Sequence, residues 1–232
     1  MNAINKTARL AGFAYFLLIP LGMFGILYVP SLLVVPGDVG TTIDNILGNQ
    51  TLFRLSIASA IVAQLVNIWA VVLLYKLLKP VNSTHAAMMV IFLLLAVPIA
   101  FLNELNHIAV LALLNGTDLV AAFTTEQVHA LVAFFLDLHH AGIFIAQLFW
   151  GLWLFPMGYL VYRSGYLPRI IGILLMIGCA GYMADSFLYF VYPDFGVTVS
   201  EFTFLGEIAI VLWLLIRGVN VEAWQKRVAA SA

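Results

Sequence analysis

The chain is poor in charged residues and almost free of cysteine. Of its 232 residues, ten are lysine or arginine and eleven are aspartate or glutamate, so 9% are charged and 64% are hydrophobic. Soluble domains carry about 25% charged residues, and this chain has too few to cover a soluble globule. It has no basic excess, which excludes a nucleic-acid binder. Its one cysteine, Cys179, excludes an internal disulfide and a cysteine-rich metal site.

What the sequence does contain is long apolar runs. About 20 apolar residues cross a bilayer as a helix, and the alternating pattern of a membrane β-barrel is absent. We therefore predict an all-α polytopic membrane protein, with residues 1–232 forming one domain of six transmembrane helices in a bundle. The predicted spans are 8–30, 54–79, 85–115, 127–162, 168–192 and 200–219. The third and fourth would be about 46 and 54 Å long, so we expect them to tilt, kink or project from the membrane.

The cations predict the orientation. If six spans alternate, nine of the ten fall on one side and Arg54 is the exception. The nine are Lys6, Arg9, Lys76, Lys79, Arg163, Arg169, Arg217, Lys226 and Arg227. The other side holds the acids Asp38, Asp44, Asp118, Glu126, Asp194 and Glu201. The positive-inside rule then places both termini in the cytoplasm. In the first outer loop we expect Asp38 to cap a short helix over 39–48.

Ionisable residues inside the spans are the most informative feature. A charged side chain at the bilayer centre costs about 2.5–3.5 kcal/mol, yet this chain keeps seven ionisable residues there. They are Glu104, His107, Asp137, His139, His140, Asp185 and Glu207. No lysine or arginine accompanies them, so the carboxylates must be protonated, pair with histidines or bind a cation. A rise of about 1.5 Å per residue places the residues in one layer, in the outer half of the membrane.

Their spacing predicts a metal site. Glu104 and His107 are three residues apart, as are Asp137 and His140, and residues at this spacing share a helix face. Two such pairs with two single carboxylates match the ligand set of di-iron four-helix bundles, and the same residue types suit one zinc ion. We therefore predict that a divalent metal, zinc or a di-iron or di-manganese pair, is the cofactor. The predicted ligands are Glu104, His107, Asp137, His139, His140, Asp185 and Glu207.

Two further assignments concern roles within this site. Asp185 and Glu207, which come from single-carboxylate helices, are also the predicted catalytic residues, as ligands or bases. His139 points roughly opposite Asp137 on an ideal helix, so His139 and His140 cannot both share the face of Asp137. Whether His139 or His140 is the functional histidine stays open at this point.

Three functions are compatible with such a layer. The first is a metal-dependent intramembrane enzyme that acts on a lipid or another apolar small molecule, by hydrolysis or by di-metal oxidation. The second is a proton-coupled transporter, because acid–histidine chains in membranes also relay protons. The third is a structural or sensory protein whose polar layer is only a hydrogen-bonded core. The expected partners are membrane lipids and an apolar substrate, with no nucleic acid, and a homo-oligomer is left open.

Several stretches together resemble a known family. The most specific are Gly158-Tyr-Leu-Val-Tyr-Arg-Ser-Gly165 and Leu167-Pro-Arg-Ile-Ile-Gly172, and Phe135-Leu-Asp-Leu-His139 is another. Over residues 9–219 the chain resembles the bacterial membrane family catalogued as domain of unknown function 4386. The resemblance implies a multi-pass protein of the bacterial inner (plasma) membrane and brings no settled activity. The family pattern carries Asp137, His139, Asp185 and Glu207 and includes neither Glu104 nor His140, so the resemblance favours His139 as a ligand.

Overall fold

The computed structural model describes residues 2–116 and 120–231, and among them it contains helices and no strand. Asp118, one of the acids assigned above to the outer side, lies outside the described residues. The α-helices are α1 (Ala3–Gly22), α2 (Val29–Leu33), α3 (Val39–Gly48), α4 (Gln50–Leu78), α5 (Ser83–Leu114), α6 (Thr125–Leu152), α7 (Leu154–Ser164), α8 (Arg169–Val191), α9 (Ser200–Thr203), α10 (Leu205–Ile216) and α11 (Val221–Ser231). The prediction of an all-helical membrane protein is confirmed.

Five helical stretches are long and apolar enough to cross a membrane. They are Ala3–Leu33, Gln50–Leu78, Ser83–Leu114, Thr125–Ser164 and Arg169–Val191. A sixth is obtained if Ser200–Ile216 and Val221–Ala230, which meet at an angle of 105°, are counted as one bent span. Each predicted span therefore has a helical counterpart among the described residues.

The two longest candidate spans differ in regularity. The helix of the fourth span is interrupted at Trp153, so that α6 ends at Leu152 and α7 begins at Leu154. Pro156 follows in the first turn of α7, where its missing N–H removes no helical hydrogen bond. In contrast, α5 continues for 32 residues through Pro98. The predicted distortion thus takes the form of a break in the fourth span, and the third is a helix of about 48 Å.

The first span contains a change of helix type that the sequence did not predict. Between α1 and α2, residues Met23–Tyr28 form a π-helical segment. Gly25 lies in this segment, and a Cβ atom there would be 2.9 Å from the backbone oxygen of Ser56. The wider turn therefore lies where the first span packs directly against the backbone of α4.

The helices form two compact units. We call residues Leu18–Leu65 and Pro98–Ile143 the histidine unit, and residues Met1–Leu17, Val66–Val97 and Phe144–Ala232 the arginine unit. The core of the histidine unit is apolar and fully buried. It contains Val29, Leu33, Ile43, Ile46, Phe53, Ile57, Val110, Leu111 and Val132.

The loop that precedes α4 contains the predicted short helix. Asp38 is the N-cap of α3, and its carboxylate accepts hydrogen bonds from the backbone N–H of Thr41 at 2.9 Å and from the Thr41 hydroxyl at 2.7 Å. These bonds, the backbone one first, lower the pKa of Asp38 below its ordinary value, because they stabilise the charged carboxylate. The expected cap of a helix over 39–48 is confirmed.

Glycines in the arginine unit allow helices to touch backbone to backbone. A Cβ atom on Gly172 of α8 would lie 2.5 Å from the carbonyl oxygen of Gly158 and 2.6 Å from the backbone nitrogen of Tyr162, both in α7. A Cβ on Gly206 of α10 would lie 2.5 Å from the backbone nitrogen of Leu175 in α8. Small residues at such crossings are how membrane helices gain packing energy without a hydrophobic driving force.

We expect Gly172→Ala to destabilise the protein by about 1–3 kcal/mol, since the added methyl group meets backbone atoms that cannot move independently. The measurement is the midpoint of thermal unfolding of the purified protein in detergent. Gly22→Ala is the matched control, because a Cβ there has no neighbour within 4 Å. Equal midpoints for the two variants would show that the α7–α8 contact is not tight.

Candidate functional site

Three of the seven candidate residues meet in the histidine unit. Glu104 and His107 lie one turn apart on α5, and His139 lies on α6. Nδ1 of His107 is 3.3 Å from Oε2 of Glu104, and Nε2 of His139 is 3.3 Å from Oε1 of the same carboxylate. The three residues are only 7%, 4% and 4% exposed, respectively. One buried carboxylate therefore contacts two buried imidazoles, one on each oxygen.

Aromatic packing fixes the two imidazole rings. The rings of His107 and His139 are stacked, with centroids 3.4 Å apart and planes at 22°. The fully buried ring of Phe53, from α4, meets His107 edge-on at a centroid distance of 4.9 Å. The stacking and the Phe53 contact thus hold both rings with a nitrogen facing the Glu104 carboxylate.

A glycine and an asparagine bring α5 and α6 close enough to form the cluster. The Asn103 side chain donates a hydrogen bond to the backbone oxygen of His139 at 2.9 Å. A Cβ on Gly142 would lie 2.0 Å from Oδ1 of Asn103, so a side chain at this position would displace the amide from its bond to α6. Asn103 is thus a polar link between the two helices.

The cluster has the donor types and the close ligand atoms of a divalent metal site, and the stacked rings would have to turn for both nitrogens to face one ion. One ligand atom from each residue lies within 4.8 Å of the others, and among the described residues no other group of three histidines, cysteines or acids does so. Each imidazole nitrogen lies 3.3 Å from its own oxygen of Glu104, and bonds of about 2.0–2.1 Å to a tetrahedral zinc ion would draw one atom from each residue to about 3.3–3.4 Å from the others. Two histidines and one carboxylate also form the ligand set of non-haem iron(II) sites.

The neighbouring candidates on α6 lie elsewhere. Asp137 and His140 are exposed on the surface of the helix, whereas His139 is buried against Glu104. The physical reason is the helical rotation of about 100° per residue, which points adjacent histidines in different directions. The structure thus brings together Glu104, His107 and His139, and places Asp137 and His140 outside this cluster.

Asp185 lies in the arginine unit, where its carboxylate accepts hydrogen bonds from backbone N–H groups. Its Oδ1 accepts the N–H of Val199 at 2.6 Å and its Oδ2 accepts the N–H of Ser200 at 2.9 Å. The carboxylate thereby satisfies the first N–H groups of α9, which would otherwise lack partners. The assignment of Asp185 as a metal ligand or catalytic residue stays a prediction.

Glu207 lies in the arginine unit as well, between two tyrosines. The hydroxyl of Tyr15 donates to its Oε2, and the hydroxyl of Tyr182 donates to its Oε1 at 2.8 Å. Tyr15 also packs on Trp153 with ring centroids 5.5 Å apart. Reasoning from the sequence missed both tyrosines. The available signal was their position far inside α1 and α8, away from the membrane surface where tyrosine concentrates.

Comparison with known proteins identifies the family of this chain. Residues 10–218 match the family described as Domain of unknown function (DUF4386). An Archaeoglobus fulgidus protein that carries only the description "Uncharacterized protein" is 32% identical over 158 residues, which is 66% of this chain and 93% of that protein. No solved structure matches the chain significantly. The match spans all the long helices, and the chain therefore belongs to the DUF4386 family of domains of unknown function.

Proposed function

We propose that this protein is a metal-dependent intramembrane enzyme that acts on a lipid or another apolar molecule. The observation that supports this most is the buried Glu104–His107–His139 cluster, in helices that are long and apolar enough to span a membrane. Three protein ligands leave one position of a tetrahedral ion open, which is typical of catalytic rather than structural zinc sites.

Burial makes a metal a better explanation than a hydrogen-bonded core. No lysine or arginine lies among the ligand atoms, so nothing of fixed charge offsets the Glu104 carboxylate. Helix association through hydrogen bonds does not require an ionisable cluster, because Asn103 already supplies an interhelical hydrogen bond at the same crossing. A divalent cation would supply the missing positive charge and engage all three side chains.

One ion is the expected stoichiometry, because the cluster contains a single carboxylate. Glu104, His107 and His139 would hold it, with each facing nitrogen giving up its proton on binding. Phe53 packs against His107 and fixes the ring that has to carry the ion. When bound, a zinc or iron(II) ion would supply Lewis-acid polarisation of a substrate or water oxygen.

A neighbouring cavity supports an apolar substrate. It is a groove open to the surface, with a volume of about 480 Å³, between α4 and α5 in the histidine unit. Its wall is mainly aliphatic, and Arg54 is its one charged residue. Ile57 and Leu111 belong both to this wall and to the core that includes Phe53, the residue that touches His107. A lipid chain with an anionic headgroup is the substrate class that matches these walls.

A proton-coupled carrier is the second candidate, and Glu207 is the observation that favours it. This carboxylate is held by Tyr15 and Tyr182 inside helices that can span a membrane, and the proposed metal site does not use it. Intramembrane carboxylates with hydroxyl partners mark proton pathways in transporters.

The metal content of the full-length protein tests the proposal. We expect about one zinc or iron per chain by elemental analysis after purification in detergent. His139→Ala and Glu104→Gln should each fall below about 0.2 per chain, because loss of a ligand removes most of the affinity. His140→Ala is the matched control, since it changes the adjacent histidine outside the cluster, and it should keep its metal.

Two results would contradict metal binding at this site. One is a wild-type protein that stays below about 0.2 metal per chain after incubation with zinc and with iron(II). The other is an equal loss of metal in His140→Ala and His139→Ala.

Lipid turnover tests the enzyme. We expect metal-loaded protein in vesicles of host polar lipids to convert one lipid class, followed by mass spectrometry, and His139→Ala to be inactive while His140→Ala is active. If the protein retains its metal but converts no lipid and no added apolar ester, the enzymatic part of the proposal is wrong. Metal binding would then be the part that stands.

We also propose that the protein lies in the plasma membrane with both termini in the cytoplasm. The side chain of Asn5, near the start of α1, accepts the N–H of Val219, just after α10, at 2.9 Å. This contact supports a common side for the two termini, and the cations supply the direction. We expect a fluorescent protein fused after Ala232 to fluoresce and alkaline phosphatase fused after Asn49 to be active. The reverse pattern would contradict the orientation.

A further inference from the structure

A cavity lined by arginines lies at one end of the long helices of the arginine unit. Its volume is about 370 Å³, and it is lined by Tyr162, Arg163, Gly165, Arg169 and Arg227. The first three come from the end of α7 and the turn after it, Arg169 begins α8, and Arg227 lies on α11. This cavity contains neither the Glu104 cluster nor Glu207, and the proposed enzymatic function does not use it.

Backbone geometry brings the first two arginines together. Gly165 follows α7 with φ of +76°, a left-handed conformation that glycine adopts without strain. The chain then reverses within a few residues, and Pro168 precedes the first turn of α8. Arg163 in the last turn of α7 and Arg169 in the first turn of α8 therefore border the same space.

The third arginine is held in place by a docked helix. The chain bends by 105° between α10 and α11, at Gly218 with φ of +68°. The indole N–H of Trp224 then donates to the backbone oxygen of Leu77 at 3.1 Å, and Arg227 donates to that of Val81 at 3.4 Å. Two bonds to the end of α4 thus fix α11 and direct Arg227 to this cavity.

The cavity has positive charge without an opposing acid. Among the described residues, the ion pairs are those of Glu104 with His107 and His139, and no carboxylate pairs with Arg163, Arg169 or Arg227. Arg169 lies over the ring of Tyr162 at 5.8 Å, which orients its guanidinium. Three cations around one space repel each other, and an anion between them would remove this repulsion.

The N-terminus of α8 also favours an anion in this cavity. Arg169 is the first residue of this 23-residue helix, where the helix dipole opposes a cation and favours an anion. The N-cap, Pro168, makes no side-chain hydrogen bond, and of the first-turn N–H groups that of Ile171 is bonded to the Pro168 oxygen. A phosphate group in the cavity would accept hydrogen bonds from the guanidinium groups that line it.

We propose that this cavity binds the phosphate of an anionic phospholipid headgroup. α7 and α8 both belong to stretches that can span a membrane, so the turn between them lies where headgroups lie. The ring of Tyr162 is 37% exposed, as is usual for a tyrosine at the membrane interface. Basic pockets between transmembrane helices at the membrane surface are the usual sites for acidic lipid headgroups.

The test uses the full-length protein in mixed micelles and native mass spectrometry. The probes are dioleoyl phosphatidylglycerol, dioleoyl phosphatidylcholine and inorganic phosphate. We expect phosphatidylglycerol to bind more tightly than phosphatidylcholine, and millimolar inorganic phosphate not to displace it. The triple variant Arg163→Gln, Arg169→Gln and Arg227→Gln should bind phosphatidylglycerol roughly 100-fold more weakly, at about fivefold for each cation lost.

A charge-matched control separates this site from general surface charge. Lys6→Gln, Arg9→Gln and Lys226→Gln remove the same charge from exposed residues that do not line the cavity, and this triple variant should keep its affinity. If the cavity triple variant fails to fold, Arg163→Gln is used alone. The side chain of Arg163 makes no hydrogen bond or ion pair in the described part of the chain, and its loss should weaken binding roughly fivefold.

Three results would overturn the proposal. The first is an equal loss of affinity in the control and cavity variants, which would show a diffuse charge effect. The second is equal binding of phosphatidylcholine. The third is displacement of phosphatidylglycerol by inorganic phosphate, which would identify a free phosphate site in place of a lipid site.

Discussion

The low polarity of the membrane core is the constraint on which the rest of this structure depends. In hydrocarbon, an uncompensated polar group costs several kcal/mol, so each intramembrane acid needs a partner from the protein itself. The structure supplies three different partners. Glu104 contacts two histidines, Glu207 accepts from two tyrosine hydroxyls, and Asp185 accepts two backbone N–H groups. Only the first arrangement presents several metal-ligating atoms to one point.

Close approach of helices makes these partnerships attainable. The hydrogen bond from Asn103 to the backbone of His139 needs α5 and α6 in contact, and Gly142 is the residue that leaves room for it. The arginine unit uses the same device where Gly158 and Gly172 face each other. Membrane helices gain little from burying apolar surface, so van der Waals contact between small residues carries more of the association. The geometry of the site therefore depends directly on how closely the helices pack.

Because charged residues are few, their positions in the structure indicate their roles. Cations concentrate at the loop ends, where three of them surround a cavity between α7, α8 and α11. Among the described residues Glu104, Asp185 and Glu207 form no ion pair with a lysine or arginine, and histidines, backbone groups and hydroxyls are their partners. Hydrocarbon excludes charge, and this one effect accounts for both sites. It leaves a buried site suited to a metal inside the membrane and a site suited to a lipid phosphate at its surface.

The sequence by itself determined the fold class, the helical stretches, the family and the set of ionisable residues inside the spans. Apolar length and the positions of charge are local properties, and the Asp38 cap was predicted for the same reason. Sequence placed Glu104, Asp185 and Glu207 in one ligand set, whereas in the structure each has different partners. It also paired Asp137 with His140 by spacing, whereas burial of His139 depends on which face of α6 meets α5. Tertiary structure decided these points, because side chains from distant helices become partners only when the helices pack.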